Sequence, residues 1–145
     1  MIDAEALRDE LVRWRRFGVV FAWSAPHTHG DDAVGALRDL ATAPPPPLVP
    51  VDPAELTPVD AATATRIVAE LLERDLAYHV CIVEPDEAMR LAHVVTGTLP
   101  ASARWWSNGK VGPGEWVSFT AATFDGGVIG ISRDRALVVW FMDED

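Results

Sequence analysis

The last third of the chain places the tightest constraint on its fold. From Trp116 onward, apolar residues come in short runs broken by turn signals. "WVSFTAATF" (116–124) alternates, and Asp125-Gly126-Gly127 reads as a turn. "VIGIS" (128–132) returns, "RDR" (133–135) turns again, and "ALVVWFM" (136–142) is apolar throughout. Successive side chains on a strand point to opposite faces. The alternating run therefore predicts a strand with one wet face, and the unbroken last run predicts a strand covered on both. Together they predict an antiparallel three-strand meander. Just upstream, "RWWSNGKV" (104–111) sets Asn108-Gly109 between apolar flanks, the signal of a tight hairpin turn.

The preceding hundred residues are punctuated for helices instead. Asp3 is positioned to cap a helix in which Ala4, Leu7, Leu11 and Trp14 recur at helical spacing, and Gly18 ends it. The arginine trio Arg13, Arg15 and Arg16 falls near its C-terminus, where cations complement the helix dipole. "VVFAW" (19–23) is β-branched and aromatic and predicts a strand; "AVGALRDLA" (33–41) predicts a short helix. In "LTPVDAATATRIVAELLERD" (56–75), Thr57 reads as the N-cap, Pro58 as the first helical residue and Asp60 as the third position of a capping box. "AYHVCIV" (77–83) predicts another strand. A helix opens at Pro85 and is closed by Gly97 and Pro100. Between these elements the Pro-rich segment 44–53 is a stiff connector, because consecutive prolines fix φ and remove donors.

Helices early and strands late predict an α+β fold. The expectation is a single domain over residues 1–145, with a mostly antiparallel sheet, a C-terminal three-strand meander and helices packed on one face. A chain of 145 residues buries about 70% of its unfolded surface, enough for one core.

Charge narrows the function classes. The formal net charge is −10, and Lys110 is the single lysine. A surface that neutralises phosphates or anionic lipids needs the opposite balance, so neither nucleic acid nor a membrane is an expected partner. The N-terminal "MIDAEALRDE" carries acids where a secretory leader carries cations, and no apolar run reaches membrane-spanning length, which predicts a cytoplasmic protein. Cys81, alone, forms no intramolecular disulfide and no CxxC zinc site; within "AYHVCIV" it reads as a small buried hydrophobe.

One stretch suggests chemistry. "HTHGDD" (27–32) resembles the H-x-H-x-D-H segment of the metallo-β-lactamase superfamily, with His27, His29 and Asp31 on the matching positions and Asp32 where the family has a further histidine. That resemblance implies a metal-dependent hydrolase using those three side chains. A polar loop whose Asp31 or Asp32 caps the following helix accounts for the same residues. Neither a G-x-S-x-G elbow nor a phosphate-binding glycine loop is present, and no cofactor or resident metal is expected.

Two features point to protein recognition. Asp143, Glu144 and Asp145 follow directly on the apolar run, and Asp125 falls at a predicted turn. Trp105 and Trp106 are neighbours on a predicted strand, so they cannot share one core, and at least one reaches solvent or a covering loop. Trp105, Trp106, Asp125, Asp143 and Glu144 are therefore the expected partner-binding residues. The chain reads as a small acidic, non-catalytic binding protein that masks a basic site on a partner protein, in the manner of an immunity or antitoxin protein against a bacterial toxin. The alternatives are the metal-dependent hydrolase above and a small-molecule-binding module with Trp105 and Trp106 lining its pocket.

Overall fold

In the computed structural model, residues 3–15, 18–75, 78, 80–108, 119–122 and 124–143 are described. The first helix, α1 (Ala4–Trp14), is capped by Asp3, whose Oδ1 accepts the Ala6 N–H at 2.7 Å. Leu7 and Leu11 are its buried stripe. Strand β1 (Val19–Pro26) follows, then α2 (Ala33–Thr42), a 3-10 turn at Pro53–Glu55, β2 (Thr57–Val59), α3 (Ala61–Glu73) and α4 (Pro85–Thr96). Three strands complete the described chain: β3 (Arg104–Ser107), β4 (Phe124–Ile131) and β5 (Arg135–Asp143).

The strands form one antiparallel sheet in the order β1-β5-β4-β3-β2. The α+β class and the meander are thus present, with β3, β4 and β5 as its members. The meander's composition differs from the sequence expectation. Asp125, Gly126 and Gly127 do not turn; they pair with Met142, Phe141 and Trp140 inside β4. A glycine is needed at 127 because Trp140 and the Val139 carbonyl occupy the space a Cβ would take. Of the run 116–124 only 119–122 and Phe124 are described, and 119–122 is not strand. Gly109, and with it the predicted hairpin tip, lies outside the described residues.

Alternation along β5 divides the interior. Leu137, Val139 and Phe141 face one core with Leu7, Leu11, Val68, Leu72, Leu91 and Val95, so α1, α3 and α4 cover that side. Ala136, Val138, Trp140 and Met142 face a second core with Ala36, Leu37, Leu40, Leu48 and Phe119. Helices therefore do not all lie on one face: three do, and α2 lies on the other. Topology explains this. β1 and β2 are the two outer strands, so the chain between them has to cross the sheet. α2 and the Pro-rich segment make that crossing, burying Leu48 and Leu56. The connector is pinned by Val49 N–H to the Phe119 carbonyl at 2.9 Å and Val51 N–H to the Ala41 carbonyl at 3.0 Å.

Two local expectations change. Thr57 and Pro58 are not the start of α3 but an edge strand paired with Ser107 and Trp106; Pro58, which lacks a donor, is tolerated there. Asp60 is the N-cap, accepting the Thr63 N–H at 2.7 Å, which holds its carboxyl below the ordinary aspartate value. Among the described residues of 77–83, Cys81 makes only an isolated bridge to Arg74, and its side chain is exposed, not buried. Buried Asp75 organises this turn by accepting the N–H groups of Tyr78 and Val80, each at 2.6 Å.

Candidate functional site

Of the five residues expected to meet a partner, the four that are described are buried. Trp105 faces the core under α3 and α4, and Trp106 faces the core under α2, so the neighbours point to opposite sides and both are buried. Both faces of the sheet are covered, which is why neither indole reaches solvent. A pocket between them is excluded by the same geometry, because the sheet separates them.

Asp125 is buried beside Met142 on the α2 side. Its Oδ2 accepts the N–H groups of Phe119 and Thr120 and the Thr120 hydroxyl at 3.0, 2.7 and 2.7 Å, while Asn108 Nδ2 donates to Oδ1 at 3.0 Å. Burial raises its pKa above the ordinary aspartate value, and the donors from Thr120 and Phe119 offset only part of that rise. The Trp140 indole Nε1 is buried without a hydrogen-bond partner among the described residues. The carboxylate fastens segment 119–120 to β4; it is not presented outward.

Asp143 is also interior. It shares the face of Val139 and Phe141, and both its oxygens meet the Arg15 guanidinium, Nη1 to Oδ1 at 2.8 Å and Nη2 to Oδ2 at 2.6 Å. Arg15 Nε donates to the Leu71 carbonyl at 2.8 Å, and its guanidinium carbon sits 5.3 Å from the Phe141 ring centroid. Arg15 therefore turns inward from the end of α1 to tie α1, α3 and β5 together. Glu144 lies outside the described residues.

The "HTHGDD" loop connects β1 to α2, and its three candidate ligands each have a polar partner outside that set of three. His27 Nδ1 accepts the His29 N–H at 3.1 Å, which requires the proton on Nε2, and Nε2 donates to the Ser132 carbonyl at 2.7 Å. Both ring nitrogens are in use. His29 Nε2 meets Asp39 at 2.6 Å, and exposed Asp31 leans toward Arg133 at 3.8 Å. No group of three or more metal-ligating side chains converges among the described residues. Asp32 is the α2 N-cap, its Oδ1 accepting the Gly35 N–H at 3.0 Å.

Acidity concentrates instead on the segment that crosses the sheet. Between β1 and β2, Asp31, Asp32, Asp39, Asp52 and Glu55 are all exposed, against the single cation Arg38. Two of them are fixed by capping: Asp32 on α2 and Asp52 on the 3-10 turn. The same segment exposes two aliphatic side chains, Val34 at 43% and Val49 at 39%. Sequence reasoning noted these acids only as caps, as part of the net charge or, for Asp31, as a candidate metal ligand. Their number was visible, but the crossing of the sheet by the segment that carries them was not.

Compared with known proteins, the chain matches no protein-family model, no curated protein and no solved structure. Among the described residues no helix is long and apolar enough to cross a membrane.

Proposed function

We propose that this protein is a small acidic, non-catalytic binding protein that masks a basic site on another protein, as an immunity or antitoxin protein masks a bacterial toxin in the cytoplasm. The observation that carries the proposal is the five-to-one excess of exposed carboxylates over cations between β1 and β2, on the segment that crosses one face of the sheet. Capping holds two of those carboxylates, Asp32 and Asp52, on rigid element ends, so they are ordered before a partner arrives. Val34 and Val49 supply apolar contact within the same segment. The acids act mainly on encounter, raising the association rate toward a positively charged site and rejecting acidic competitors. The contact surface is thus assigned to the sheet-crossing segment, and Trp105, Trp106, Asp125 and Asp143 are assigned to the interior that supports it.

The test uses the immobilised wild-type chain and a variant carrying Asp39→Lys, Asp52→Lys and Glu55→Lys. Lysate from a cell that makes the protein is passed over both at low salt, and retained basic proteins are assayed for enzymatic activity with and without added wild-type chain. The expected result is a basic protein retained by the wild type alone and inhibited stoichiometrically. Equal retention on both surfaces, or no inhibition, would refute the assignment.

A further inference from the structure

On the opposite side of the sheet from the acidic layer, an open cleft of about 290 Å³ lies where the start of α1 and the turn after α4 meet the ends of β1 and β5. Its apolar lining includes Leu7, Leu99 and Leu137, and its polar lining includes Asp3, Ser24 and Arg135. Arg135 spends two donors on one acceptor: Nε and Nη2 reach Ser24 Oγ at 3.3 and 3.2 Å. It forms no ion pair among the described residues, leaving guanidinium donors uncommitted in a protein with nearly twice as many acids as bases. Asp3 gives one oxygen, Oδ1, to the α1 cap, and the two charged groups are not paired with each other.

A cation and an anion that both line an apolar cleft without neutralising each other form a receptor for a molecule bearing both charges. We propose that the cleft binds a small free amino acid with an aliphatic side chain. The ligand carboxylate meets Arg135, its ammonium faces Asp3, and its side chain packs on the leucines. Size agrees, since sites for drug-sized ligands span roughly 300–1,000 Å³ and this cleft lies at the lower bound. A guanidinium suits a carboxylate because it offers parallel donors. The site is independent of the proposed protein interface, which lies across the sheet.

Calorimetric titration of the full chain tests this with three probes: L-leucine, 4-methylpentanoate and 3-methylbutylamine. Leucine is expected to bind saturably, and each probe that lacks one charge is expected to bind at least about tenfold more weakly, the scale of one charge-assisted hydrogen bond. Arg135→Gln and Asp3→Asn are each expected to weaken leucine by a similar factor. Asn is itself a good N-cap, so Asp3→Asn removes the charge while keeping α1. If a variant fails to fold cooperatively on heating, the three probes on the wild type decide alone. No saturable leucine binding at millimolar concentration, or equal affinity for leucine and 4-methylpentanoate, would overturn the proposal.

Discussion

Arg15 and Asp143 stand 128 positions apart and meet in a two-pronged ion pair with both side chains at 0% exposure. Removing one partner strands a charge in the interior. Asp143→Ala is therefore expected to cost about 3–5 kcal/mol of stability, whereas replacing both partners by apolar residues, Arg15→Met with Asp143→Leu, costs far less. Urea unfolding of the two variants checks this, and similar losses for both would show that the pair is not what the fold depends on.

Gly18 borders the same pair. It has φ +70°, and a Cβ built there would overlap the Asp143 carboxylate and the Met142 carbonyl. Gly30 also has a positive φ, +58°, but opens onto empty space. Gly30→Ala should therefore cost only the left-handed backbone penalty, about 1–2 kcal/mol, and Gly18→Ala clearly more. Thermal melting of both variants measures the difference.

Asp125 gives the stability of the protein a pH dependence of definite sign. Its folded pKa is raised by burial, so the native state holds this proton more tightly than the unfolded chain does. That contribution is fully present below the ordinary aspartate pKa of about 3.9 and is lost as pH rises through the raised folded value. Asp125→Asn removes the ionisation, so from acid toward neutral pH the wild type should lose stability relative to the variant. Denaturant titrations of both across that interval test it; a constant difference would contradict the assignment.

His27 cannot bind a metal without giving up its contact with either the His29 N–H or the Ser132 carbonyl, and among the described residues no group of three metal-ligating side chains converges around His29. Added zinc is therefore expected to leave the melting temperature unchanged, because only a ligand that prefers the native state raises it. A concentration-dependent rise would restore the metal reading of the loop.

Periodicity made the sheet legible. The unbroken run 136–142 announced a strand covered on both faces, and Val138 and Val139, pointing to different cores, show why it had to be so. The glycines at 126 and 127 misled because a turn and close packing, here of Gly127 against Trp140, call for the same residue. The candidate site was less legible. Asp143 reads as the first residue of an acidic tail, yet it keeps the strand's alternation and so faces the core with Phe141. That parity was visible; its counter-charge was not, since Arg15 reads equally well as ordinary helix-end chemistry. Trp105 and Trp106 were correctly placed on opposite faces. That both faces are covered depends on the crossing between the outer strands, which no local pattern encodes.

The protein interface is tested most directly by the association rate of the retained basic partner as a function of ionic strength. Raising salt from about 0.01 M to 0.15 M shortens the screening length from roughly 30 Å to 8 Å. The acidic layer predicts a rate constant that falls by at least about tenfold over that range with little change in dissociation, and a loss of this dependence in the Asp39→Lys, Asp52→Lys, Glu55→Lys variant. A rate that is independent of salt, or a dependence that the variant retains in full, would contradict it.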